Sequence, residues 1–100
     1  MERLRCGVIL TEAFTTYLQE RFSSESPAHP GQILAFEYLH CGEGERAGQA
    51  WLDSFWIKHA GLSATNIFRV GEMDLYLSPQ TQRGLRWHYL EIIDGAPSVG

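Results

Sequence analysis

The sequence predicts an α+β domain, and three features predict it. One helical face is written early, at Leu10, Phe14, Tyr17, Leu18 and Phe22. These positions fall at the i, i+4, i+7 and i+8 spacing of an amphipathic helix. From Gln32 onward the apolar segments are short, rich in aromatic and β-branched residues, and separated by turn-forming stretches, as strands are. Helices and strands do not alternate regularly, as a parallel α/β sheet would require, and no internal repeat recurs.

Taken in order, Cys6–Leu10 reads as a short strand, β-branched at Val8 and Ile9. Thr11 is a suitable N-cap for the helix that follows, with Glu12 in the first turn, where the helix dipole favours an anion. Residues Ser23–Gly31 hold three Ser, two Pro and a Gly and read as a loop. Gln32–His40 has the length of a buried strand, with Leu34, Phe36 and Tyr38 alternating onto one face. Cys41–Gly48 carries three glycines in eight residues and suits neither helix nor strand throughout.

Residues 50–59 admit two readings. As a helix, Trp51, Leu52, Phe55 and Trp56 share a face and Gly61 stands beyond its end. As a strand, Trp51, Asp53, Phe55 and Ile57 face one way and Leu52, Ser54, Trp56 and Lys58 the other. The aromatic and β-branched content favours the strand. Asn66–Leu77 reads as a hairpin whose turn, Gly71-Glu72, places Gly first, as a type II′ turn wants. Ser78-Pro79 opens a short helix that Gly84 is expected to end. Trp87–Ile93 reads as the last strand. One domain is expected over residues 1–95, with 96–100 as a flexible tail.

Composition narrows the function. The chain of 100 residues is enough for one domain and too short for two. Its formal charge is −4 and its eight basic residues are scattered, the nearest thing to a cluster being Arg83 and Arg86. Nucleic acid, which wants a basic face, is not an expected partner. No apolar run nears the roughly 20 residues that cross a bilayer, and no secretory leader is evident, so a cytoplasmic location with no membrane partner is expected. Cys6 and Cys41 are too few for a disulfide scaffold and read as free thiols.

The run Phe68-Arg69-Val70, then Met73-Asp74-Leu75-Tyr76-Leu77-Ser78-Pro79-Gln80, then Leu85 and Tyr89-Leu90, resembles the HesB-like fold of A-type iron–sulfur carriers. That family has a hairpin, a short helix with a Ser/Pro-type start, and a last strand. Its N-terminal strand and helix resemble Val8–Phe22, and His40-Cys41-Gly42-Glu43-Gly44 stands where it has a Gly-Cys-Ser-Gly-like turn. The resemblance implies a small strand-rich domain with a helix near each end. Carriers of this kind use three cysteines, and only Cys41 has a counterpart. The Cys-Gly-Cys-type pair is missing from Asp94–Gly100, which implies that cluster carrying is lost.

Candidate chemistry centres on His40 and Cys41, beside a glycine turn whose backbone N–H groups would favour a thiolate. Neighbours in a strand point to opposite faces, and a tetrahedral metal site needs about four ligands. Cys6 could join them if its strand lies alongside. Glu43, Glu45 and Asp53 read as solvated carboxylates, and His29, His59 and His88 as isolated surface groups. No P-loop, Gly-x-Ser-x-Gly or Gly-x-Gly-x-x-Gly pattern occurs. Trp51, Phe55 and Trp56 are either core or a sticky edge that pairs across a two-fold axis. The expectation is therefore a non-catalytic binding or assembly module without a cofactor, forming a homodimer. The alternative is a degenerate iron–sulfur cluster or metal-ion carrier using Cys41, with a thiol enzyme on Cys41 behind it.

Overall fold

A computed structural model describes residues 1–40 and 50–100, with the side chains at 39, 40, 50 and 51 outside the described set. The elements are β1 (Glu2–Arg3), β2 (Ile9–Leu10), α1 (Glu12–Glu25), β3 (Gln32–His40), β4 (Ala50–Lys58), β5 (Ile67–Val70), β6 (Met73–Leu77), α2 (Pro79–Leu85), β7 (Tyr89–Ile93) and β8 (Ala96–Val99). They form an α+β arrangement of two helices and two mixed four-stranded sheets, ordered β1-β2-β7-β8 and β4-β3-β6-β5. Two parallel pairings tie distant segments together: β2 lies along β7, and β3 along β6.

The sheets and both helices enclose one core. On β3 the alternation predicted from Leu34 and Phe36 points inward, and both oppose core residues of β6, Leu75 and Leu77. Phe14 and Leu18 of α1 are fully buried against this layer, as are Leu10 of β2, Leu85 of α2 and Leu90 of β7. Burying a side chain of this size stabilises by about 1.5–3 kcal/mol. The Thr11 cap forms as expected, with its Oγ1 accepting from the Phe14 N–H at 3.3 Å. The same hydroxyl donates to the Leu90 carbonyl at 2.9 Å, and the Thr11 N–H donates there too at 3.1 Å, which pins the start of α1 to β7.

Several boundaries differ from the sequence expectation, each for a local reason. The strand expected over Cys6–Leu10 shortens to Ile9–Leu10 because the chain turns at Gly7, whose φ is +96°. Helix α1 runs three residues beyond Phe22, where Ser24 returns a hydroxyl bond to the Glu20 carbonyl and Arg21 pairs with Glu25 one turn on. Gly84 does not end α2: the helix continues to Leu85, and Gly84 serves close packing, since a Cβ there would lie 3.0 Å from the Tyr38 ring. Residues 50–58 are strand and not helix.

The tail expected at 96–100 is instead an edge strand. Asp94 (φ 52°) and Gly95 (φ 79°) form a two-residue turn closed by Ile93 opposite Ala96, and β8 pairs antiparallel with β7. Pro97 is tolerated because an edge strand leaves one side of its ladder free. Among the described residues, no helix is long and apolar enough to cross a membrane.

Candidate functional site

Two places on the molecule gather groups capable of recognition. The first is β4, which among the described residues is the outermost strand of its sheet, hydrogen-bonded to β3 over all nine residues, with β8 of the other sheet close by. Alternation sends its residues to two environments. Leu52 and Trp56 pack against the core. Phe55 and Ile57 lie on the opposite face, half-buried. There the register sets Ile67 opposite Tyr76, Tyr76 beside Ala35, and Ala35 opposite Phe55, an apolar row across all four strands. Ala35 is fully buried in this row, while Ile67, Tyr76 and Phe55 keep part of their surface in solvent. Beyond it Glu37 opposes Asp53, two like charges in direct register.

Of the three aromatics expected to act together, Phe55 and Trp56 are separated onto opposite faces of β4. Trp56 is engaged within the chain: its ring stacks on His29, with centroids 4.9 Å apart, and its indole N–H donates to Glu25 at 2.9 Å. Glu25 also receives two bonds from the Arg21 guanidinium, at 2.8 and 2.9 Å, and Arg21 donates to Ser54 of β4 at 2.6 Å. These donors, Arg21 first and Trp56 second, pull the Glu25 carboxyl down to about 2, and the carboxylate in turn raises the Arg21 pKa. The network fastens α1 to the edge strand. Phe55 faces outward, and the Trp51 side chain lies outside the described residues.

The second place is a cleft of about 310 Å³ where the N-terminal segment meets the turn between α2 and β7. Among the described residues it is lined by Arg3, Leu4, Arg5, Cys6, Gly7, Arg86 and Trp87, with no carboxylate. Arg5 is spent on structure, donating to the carbonyls of Ala64, Thr65 and Ile67 and lying over the Phe68 ring. Arg3 sits over the Trp87 ring at 5.4 Å. Trp87 is 62% exposed and has φ +69°, a left-handed conformation that costs a bulky residue about 1–2 kcal/mol. Its N–H donates to the Gly7 carbonyl at 2.9 Å. Gly7 in turn leaves room for the cleft: a Cβ there would come within 3.1 Å of the Arg86 stem and 3.7 Å of the Trp87 ring.

Of the expected thiol site, only Cys6 has its side chain among the described residues. Cys41, Glu43 and Glu45 lie outside the described residues, as does the His40 side chain. Cys6 is a free, half-buried thiol in the arginine-lined cleft. Guanidinium groups are donors only and cannot serve as ligands, so among the described residues Cys6 is the one side chain lining this cleft that could ligate a metal. Among the described residues, no three His, Cys, Asp or Glu side chains are grouped to hold a metal ion. His59 directly follows β4 and His88 directly follows Trp87, but neither lines the cleft, and the His88 ring lies 3.2 Å from the Gly100 carbonyl.

Sequence reasoning paired Arg86 with Arg83 and missed its meeting with Arg3 and Trp87. That meeting is made by the parallel pairing of β2 with β7, which has no local signature. No family model matches the chain, and neither does any curated protein or solved structure.

Proposed function

We propose that this protein is a non-catalytic binding or assembly module that pairs with a second copy of itself along β4. The observation that carries the reading is the contrast between β4 and the other sheet edges. Natural sheets blunt their edges with short strands, charges or proline. Here β1 has two residues, β5 has four with Arg69 exposed at its centre, and β8 contains Pro97. Strand β4 has nine residues and no proline; it carries Asp53 and Lys58, but Phe55, at the end of the apolar row, and Ile57, opposite Ile33, stand between them.

A second β4 laid antiparallel about a two-fold axis would extend the sheet and shelter Phe55 and Ile57 from water. The resemblance to HesB-like proteins supports the same reading. In that resemblance the cysteine pair on which such carriers hold a cluster has no counterpart in Asp94–Gly100, which favours binding over cluster carrying.

Sedimentation at tens of micromolar, the range where a micromolar dimer is populated, tests the proposal. The native chain is expected to sediment as a dimer and Phe55→Lys as a folded monomer. A native chain that stays monomeric overturns it, as does a Phe55→Lys chain that still dimerises.

A further inference from the structure

We propose that the cleft formed by Arg3, Arg86 and Trp87 binds a small organic anion in which a planar ring carries a phosphate or carboxylate. The inference is independent of pairing along β4 and begins with charge. Carboxylates outnumber basic side chains by twelve to eight in this chain, yet three of the eight line one cleft that none of the described carboxylates lines. Among the described residues, the only ion pairs are Arg21–Glu25 and Arg69–Asp74, and no described carboxylate pairs with Arg3 or Arg86. A guanidinium offers a planar fork of donors that matches phosphate and carboxylate oxygens.

The aromatic component comes from Trp87. An indole that is 62% exposed gains little from burial, and its left-handed backbone is unfavourable for any residue but glycine. Strain of this kind persists where the surroundings over-determine it, and it clusters at ligand sites. Here the Gly7 carbonyl holds the Trp87 N–H, and the absent Cβ of Gly7 keeps open the space beside the ring. Tyr89, two residues on and 39% exposed, adds a second aromatic close by in sequence. The volume of about 310 Å³ lies at the small end of the range for small-molecule pockets, which suits one ring with one anionic group. Cys6, on the same lining, supplies a reporter whose accessibility a bound ligand would change.

The test uses the full chain with phenyl phosphate and benzoate as ring-bearing anions, and inorganic phosphate and phenol as the separate halves. Binding is followed by tryptophan fluorescence. It is also followed by the rate at which iodoacetamide alkylates Cys6, read by peptide mapping so that Cys41 is scored separately. At least one ring-bearing anion is expected to bind with a Kd below about 1 mM, more weakly as salt rises, and to slow Cys6 alkylation without slowing Cys41. Arg3→Gln and Arg86→Gln are each expected to weaken binding about tenfold or more, and Arg83→Gln to leave it unchanged.

The alkylation measurement on the native chain needs no variant, so a substitution that impairs folding does not blunt the test. The proposal is overturned if neither ring-bearing anion protects Cys6 at about 10 mM, or if Arg3→Gln and Arg86→Gln, still folded, bind as the native chain does. Binding of inorganic phosphate as tight as that of phenyl phosphate overturns the role given to Trp87.

Discussion

Replacing Glu25 by Gln should destabilise the fold by about 1–2 kcal/mol at neutral pH, and the size of the loss follows from the network that Glu25 anchors. Its carboxylate takes two bonds from Arg21 and one from Trp56, and its pKa falls from the ordinary 4.5 to about 2. Taken whole, that displacement corresponds to about 3 kcal/mol. The Glu25 side chain is 37% exposed, so solvent screening reduces the figure to the 1–2 kcal/mol given above. The sign is fixed by linkage. A carboxyl whose folded pKa is depressed contributes fully above its unfolded value of 4.5, and the contribution is lost as pH falls through about 2.

Urea unfolding of the native chain and of Glu25→Gln, at fixed protein concentration and at intervals from about pH 7 to pH 2, measures the effect. The two stability curves should lie apart near neutrality and converge in acid. A cycle with Trp56→Phe should show coupling of about 0.5 kcal/mol or more, because the two side chains share a bond. Parallel curves down to pH 2, or no coupling to Trp56, would refute the view that this carboxylate clamps α1 to β4.

Two further substitutions probe the frame around the sites. Thr11→Ala removes both the cap on Phe14 and the hydroxyl bond to Leu90, and a loss of about 1–2 kcal/mol is expected in thermal or urea melts. Gly84→Val forces a branched side chain against the Tyr38 ring, where even a Cβ would lie at 3.0 Å; about 2 kcal/mol of destabilisation is expected, against a gain if the position were open helix surface.

Local pattern carried much of this fold. The helical face from Phe14 to Phe22, the Thr11 and Ser78 caps and the Gly71-Glu72 turn all rest on spacing or on one residue's chemistry, and all are present, whereas Leu10, read onto the same face, belongs to β2. Asp94-Gly95 also has the composition of a two-residue hairpin turn, a signal the expectation of a flexible tail leaves out, and β8 accommodates Pro97 because it is an edge strand. Residues 50–58 were ambiguous because an edge strand bearing aromatics on both faces mimics the stripe of a helix. The cleft was not legible at all. It depends on Gly7 meeting Arg86 and Trp87 across nearly the whole sequence, and long-range parallel pairing leaves no periodic trace.

That long-range pairing also governs the order in which the molecule can assemble. The bond from Thr11 to the Leu90 carbonyl spans 79 residues, and closing a loop of that length costs about 4 kcal/mol of chain entropy before any contact repays it. The β5–β6 hairpin closes over two residues and should form first. Until β7 is in place, β2 has no neighbour on one side, and Phe14 and Leu18 of a nascent helix remain open to water. The folding rate should therefore respond to changes in the hairpin, whereas changes at Ile9 or Tyr89 should act mainly on the rate of unfolding.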